Sequence, residues 1–114
     1  MALQRNGVKT GLFVSPHLAS FRERMQVDGV LISENDFMMY TKYLFNLCKE
    51  HSLTATEFEL AFLMAALHYR NQNCGAVVLE VGLGGEHDAT NVVSTALSIL
   101  CSVCKIHLFC RNYN

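Results

Sequence analysis

Ala76-Val-Val-Leu-Glu-Val-Gly-Leu-Gly-Gly-Glu-His-Asp-Ala-Thr-Asn91 is the stretch on which the reading of this chain turns. Ala76 to Leu79 run without a polar break, as in a strand covered on both faces. Glu80 ends the run, and Gly82, Gly84 and Gly85 open a loop. A carboxylate at the carboxyl end of a strand stands at the edge where open α/β sheets bind ligands. It is a hard oxygen donor of the kind Mg²⁺ accepts beside waters and phosphates. Charged residues also end strands for solvation alone, so Glu80 by itself leaves both readings open.

Upstream, the pattern alternates strand and helix. Ala2 to Asn6 reads as the tail of a helix with Gly7 as its left-handed C-cap. Val8 to Val14 reads as a strand that Ser15-Pro16-His17 interrupts, because proline cannot continue a central ladder. Met25 to Ile32, with Asp28-Gly29 inside it, is a small β excursion. Ser33 to Asp36 form a weak capping box, aspartate standing where Glu or Gln is preferred. The helix beyond, to about Glu50, places Phe37, Tyr40, Leu44 and Leu47 on one stripe. Thr56 caps a second helix in which Phe58, Phe62, Ala65 and Ala66 recur at helical spacing. Ala96 to Val103 reads as a further apolar strand. The order predicts α/β architecture: a partial doubly wound parallel sheet built on strand–helix–strand crossovers.

Bulk properties agree with that class. The 114 residues are 51% hydrophobic and only 17% charged, so much of the chain is interior. A net charge of -1 offers no basic field for nucleic acid or anionic lipid. No apolar run reaches membrane-helix length. Five cysteines, an odd number without framework spacing, favour a reduced, cytoplasmic setting, a mitochondrial form staying open. Neither the loop around Gly7-Val-Lys9-Thr10 nor any other stretch has the spacing of a phosphate-binding loop. No serine, histidine and acid combination suggests a hydrolase triad. His51 and His68 read as surface or satisfied groups, and Arg22 and Arg24 as a solvated β-edge.

Several motifs in order carry a resemblance. Leu79 to Asn91 (LEVGLGGEHDATN) resembles the signature of the folylpolyglutamate and dihydrofolate synthases, members of the Mur-ligase superfamily. Lys9 to Leu18 (KTGLFVSPHL) resembles that family's KTGLFxSPHL segment, and Phe21 to Arg24 its F-x-E-R continuation. Ile32-Ser33 with Asp36-Phe37 resembles its I-S-x-x-D-F helix start, and Thr56 to Glu59 its T-x-F-E motif. The resemblance runs from Ala2 to about Val103. It implies that residues 1–103 are part of a Mur-ligase-like central domain, with 104–114 a divergent tail.

The resemblance implies an acid–amino-acid ligase. ATP phosphorylates a carboxylate, the amine of L-glutamate attacks the acyl phosphate, and an amide forms on a folate or dihydropteroate. Mg²⁺ and positive donors then stabilise charge on the phosphoryl oxygens. On matching motifs, Ser15, Glu80 and His107 are the implied metal ligands. Thr56, Glu57, Phe58 and Glu59, with His87, Asp88 and Ala89, are the implied substrate-lining residues. Glu86 and His87 stand where the family usually carries arginine and an apolar residue, and Phe62 replaces a family threonine. The complete protein is expected to be a monomer. The family's Gly-rich nucleotide loop and C-terminal domain are not in these residues, so the expectation is that this chain alone is inactive and exposes sheet edges prone to aggregation.

Two other readings compete. One is a non-catalytic remnant that keeps a pterin or Mg²⁺ pocket. The other is a small zinc protein using Cys101, Cys104, His107 and Cys110. The uniform three-residue steps of that cluster differ from the paired ligands of structural zinc sites, and buried thiols in a strand explain the cysteines as well.

Overall fold

Thr10–Phe13, strand β1, lies inside a four-stranded sheet and carries a partner on each edge. The computed structural model describes residues 2–101. In chain order its elements are α1 (Ala2–Arg5), β1, a 3-10 turn (Phe21–Arg24), β2 (Met25–Val27), β3 (Val30–Leu31), α2 (Glu34–Glu50), α3 (Glu57–Asn71), β4 (Ala76–Leu79) and a 3-10 turn (Ala89–Val92). Two compact units divide the chain, one running to Glu80 and the other beginning at Val81.

The sheet order is β3-β2-β1-β4. β4 pairs parallel to β1, from Thr10 opposite Ala76 to Phe13 opposite Leu79. β2 pairs antiparallel with both β1 and β3, so the small β excursion adds an antiparallel hairpin to the parallel pair that the crossover joins, and the sheet is mixed. The reason is local. Asp28 and Gly29 both take positive φ, 51° and 81°, the backbone of a two-residue hairpin turn whose twist matches its strands. Asp28 also ties this hairpin to β1: its carboxylate accepts the Thr10 N–H at 2.9 Å, and its own N–H donates to the Thr10 carbonyl at 2.9 Å.

α2 begins where expected. The Ser33 side chain accepts the Asp36 N–H at 3.0 Å, and aspartate, one methylene short, does not complete a box. Tyr40 and Leu44 are its buried residues. α3 begins on a full capping box, Thr56 accepting from the Glu59 N–H and Glu59 accepting from the Thr56 N–H. It buries Ala61, Phe62, Met64, Ala65, His68 and Tyr69, a wider band than one amphipathic stripe. Phe62 faces β1, where Phe13 meets Phe58 and Phe62 edge-to-face at 5.6 and 5.8 Å. His68 meets Tyr40 of α2 at 6.3 Å. Ala66, read as part of the core stripe, is exposed.

Tyr69 sets the height of α3 over the sheet. Its hydroxyl donates to the Leu12 carbonyl at 2.6 Å. Its ring lies where a Cβ on Gly11 would stand, 2.7 Å from the nearest ring carbon. Burial pushes the Tyr69 phenol well above its ordinary range.

Three expectations need correction. Ala76–Leu79 is a strand but not covered on both faces: Val77 and Val78 are 43% and 41% exposed, and among the described residues β4 has a partner strand on one side only. Of the run expected as a strand, 96–103, residues 96–101 form no strand and are exposed, their backbone groups left to water without a partner ladder among the described residues, and 102–103 lie outside those residues. His68 is neither surface nor satisfied: it is 4% exposed and its Nδ1 has no hydrogen-bond partner among the described residues.

Two predictions follow from this packing. Gly11→Ala drives a methyl into the Tyr69 ring and costs about 1–3 kcal/mol, the usual overpacking penalty; urea unfolding should show a lower midpoint at unchanged slope. Burial, with Lys9 adding and Asp36 opposing, lowers the His68 pKa below its ordinary 6.5. Stability is therefore whole above pH 6.5, declines as pH falls through that value, and levels off below the depressed folded pKa. Thermal melts of His68→Phe should lack that decline.

Candidate functional site

The parallel pairing of β1 with β4 brings two strand ends together. Phe13 and Leu79 are register partners, so the residues that follow them leave the sheet side by side. The Glu80 N–H donates to the Phe13 carbonyl at 2.9 Å. The Ser15 N–H donates to Glu80 Oε2 at 2.6 Å, a charge-assisted bond that fixes one carboxylate oxygen. Glu80 is exposed and Ser15 half-buried. Here the two residues read separately as metal ligands stand in direct contact.

The chemistry of that pair fits a hard divalent cation. Oε2 is held by an N–H, while Oε1 and the Ser15 hydroxyl make no hydrogen bond among the described residues. The described residues hold no group of three or more His, Cys, Asp or Glu side chains placed to bind a metal. One carboxylate and one hydroxyl suit Mg²⁺, which retains several waters, better than a closed protein cage. His107, Cys104 and Cys110 lie outside the described residues, and Cys101 is an exposed free thiol.

The loop carrying Ser15 is clamped by residues whose role the sequence reading missed. Ser20 and Glu23 form a capping box on the 3-10 turn. The Glu23 carboxylate also accepts the backbone N–H of Leu18 at 2.8 Å, Ala19 at 3.0 Å and Ser20 at 2.7 Å. Leu18 above all, then Ser20 and Ala19, holds that carboxyl below its usual range. Arg22 donates to the Ile32 carbonyl and pairs with Glu34 at 3.0 Å. Arg24 donates through Nε to His17 Nδ1 at 3.0 Å, and its guanidinium lies 4.7 Å above the Phe21 ring. The expected solvated β-edge is thus a knitted turn. Its signal was in plain view, for Ser20-Phe-Arg-Glu23 has capping-box spacing.

The Thr56 to Glu59 motif resolves into three tasks. Thr56 and Glu59 cap α3, and the Thr56 N–H and hydroxyl hold the Glu59 carboxyl below its usual range. Phe58 packs on Phe13 in the core. Glu57 is exposed, with a carboxylate oxygen 3.8 Å from the Arg24 guanidinium.

In the second unit Asp88 organises the glycine loop. It accepts from the Leu83 N–H at 2.8 Å and from both the N–H and hydroxyl of Thr90. Burial pushes its carboxyl up, but the Thr90 donors with the Leu83 and Gly82 N–H groups hold it below its usual range on balance. Asn91 closes the loop onto the Glu86 carbonyl at 3.0 Å. His87 is exposed and Ala89 half-buried.

The Glu23 clamp is testable by amide exchange. Glu23→Gln should speed exchange at Leu18, Ala19 and Ser20 while leaving the α3 amides protected. Because the folded pKa is lowered, the clamp is whole above the ordinary value of 4.5 and is lost as pH falls through the folded value. Acidification of the parent chain should therefore reproduce the variant's exchange pattern.

No family model matches the chain. A folylpolyglutamate synthase of Arabidopsis thaliana is 38% identical over 108 residues, 91% of this chain and 19% of that protein. A bifunctional folylpolyglutamate synthase/dihydrofolate synthase solved with Mn, AMPPNP and L-glutamate superposes with a TM-score of 0.74 at 33% identity, over 80% of this chain and 22% of that one. E. coli FolC in complex with DHPP and ADP gives 0.75 at 34% identity over the same shares. The chain thus spans about a fifth to a quarter of the length of the curated relatives it matches. Sequence and fold agree over that span: the chain belongs to the folylpolyglutamate synthase and dihydrofolate synthase family, as one segment of it.

Proposed function

We propose that this segment contributes the metal-facing strand ends and the α3 cap region of an ATP- and Mg²⁺-dependent ligase that adds L-glutamate to a folate, and dihydropteroate is a second acceptor of the same chemistry. The observation that carries this reading is the Ser15–Glu80 contact at the carboxyl ends of two parallel strands. It is supported by the relatives, whose structures were solved with Mn, AMPPNP, L-glutamate and DHPP. Ser15 Oγ and Glu80 Oε1 would hold the cation. When bound, it neutralises charge on transferring phosphoryl oxygens.

The protein's own residues perform the positioning. Glu80 is oriented by the Ser15 N–H, and the Glu23 clamp keeps the loop that carries Ser15 from fraying. Fixed donors of this kind cost no reorganisation when ligand arrives. Acting alone, the 114 residues are proposed to be inactive, because their sequence has no Gly-rich nest for the nucleotide phosphates. A reduced cytoplasmic setting accords with Cys48 and Cys74 as free thiols. The complete protein is proposed to act as a monomer.

Manganese titration tests the site without requiring turnover. Paramagnetic Mn²⁺ should broaden the amide resonances of Ser15 and Glu80 first, and Glu80→Gln should abolish that selectivity. In a chimera placing this segment in a bifunctional relative, Ser15→Ala and Glu80→Gln should each lower kcat by about a hundredfold. Selective broadening elsewhere, or full activity in both variants, would overturn the assignment.

A further inference from the structure

We propose that Arg24 is a positioning residue for the Ser15–Glu80 pair, acting through the ring of His17. This role rests on the reading of Ser15 and Glu80 as metal ligands, although the contact between them stands without a metal. Arg24 holds the chain on both sides of Ser15. Before it, the Val14 N–H donates to the Arg24 carbonyl at 3.1 Å, one step beyond the Phe13–Met25 pair of the antiparallel ladder. After it, Arg24 Nε donates to His17 Nδ1 at 3.0 Å.

The side chain is built into its place. It is only 13% exposed, and arginine is seldom covered so far unless it is paired. Its guanidinium lies 4.7 Å over the Phe21 ring. The His17 ring stands 5.4 Å from the same phenylalanine, so one aromatic ring seats both partners. Glu57 contributes less, since its carboxylate is 3.8 Å away, beyond hydrogen-bond length, and its side chain is 73% exposed.

The chemistry of the bond decides what His17 does. A guanidinium only donates, so Nδ1 accepts with its lone pair, and the neutral ring carries its proton on Nε2. The His17 side chain makes no other hydrogen bond among the described residues. Pro16 has no N–H to give, and Glu23 takes amides only from Leu18 onward. Between Ser15 and Leu18 the Arg24–His17 bond is thus the one hydrogen bond that ties the loop among the described residues. A lysine could not replace Arg24, because an ammonium has neither a flat face for Phe21 nor the fixed fork of a guanidinium.

Amide exchange in the metal-free full chain tests this role. Arg24→Met and His17→Phe should each speed exchange of the Ser15 N–H about tenfold, the scale of a lost hydrogen bond to a charged group, with the α3 amides unchanged. The double variant should be no faster than either single one. His17→Asn, whose Oδ1 can stand where Nδ1 stood, should keep exchange near the parent's, which a role in ring packing would not allow. Glu57→Gln should change it by about twofold at most. Where the parent binds Mn²⁺ at Ser15 and Glu80, Arg24→Met and His17→Phe should raise the concentration that broadens Ser15 about tenfold, and His17→Asn should not. The role is overturned by unchanged Ser15 exchange or an unchanged Mn²⁺ midpoint, by additive single effects, or by lost protection in His17→Asn. It is overturned equally if Glu57→Gln matches His17→Phe, or if α3 loses protection together with Ser15, for then Arg24 only stabilises the fold. If Mn²⁺ does not select Ser15 and Glu80 in the parent chain, the metal assignment falls, and the exchange results still decide for or against Arg24.

Discussion

The first unit hangs on four residues, Thr10 to Phe13. They serve two strand edges and the face of α3 together. β2 takes one edge and β4 the other, while Asp28 fastens the hairpin turn to Thr10 from the side. Gly11 has no side chain because the Tyr69 ring occupies that space, and the Tyr69 hydroxyl then finds the next carbonyl along the strand. Phe13 fills the far end against two rings of α3 and is fully buried. Burying one such side chain is worth about 1.5–3 kcal/mol, comparable with much of a small unit's net stability. Little at this strand can move alone.

The candidate site inherits its precision from that strand. Ser15 and Glu80 meet because the chain on either side of the parallel ladder ends in register, and a slip of one residue would part them. What lies beyond the ladder is held by carboxylates accepting backbone N–H groups. Glu23 gathers the loop after Ser15, Glu59 closes the start of α3, and Asp88 gathers the glycine loop. Each satisfies donors that a turn would otherwise leave to water. The lowered pKa values of these acids record that work, so they mark local order and do not by themselves mark catalysis. Glu80 differs from them, since it is exposed and only one of its oxygens is engaged.

The helical pair carries an unresolved tension in its polar groups. His68 contacts the rings of Tyr40 and Tyr69, and its Nδ1 has no partner among the described residues. Tyr40 nearby is satisfied by Asn71, at 2.7 Å. An unpaired buried nitrogen costs on the order of 1–3 kcal/mol. Along the same helices Phe37, Thr41, Leu44 and Phe45 of α2 and Leu60, Ala61 and Met64 of α3 line an open groove.

Much of this was legible in residue order. Spacing alone located both long helices, their serine and threonine caps, the Asp28-Gly29 turn and the strand ending at Glu80, because each depends on chemistry within a few residues. Ordered motifs pointed to the ligase family, and Ser15 and Glu80 were singled out before they were seen to touch. The Ser20 to Glu23 box could have been read in the same way and was not. Other features lay beyond any local reading. The order and register of the strands, the burial of His68, the exposure of Val77 and Val78, and the unformed strand at 96–101 depend on which partners reach a segment across the chain. Local sequence determined where elements begin and end, since caps and turns are satisfied by near neighbours. Only the tertiary structure decided which faces are covered and which carboxylate meets which amide, because burial and hydrogen bonding between distant residues exist only once the chain has folded.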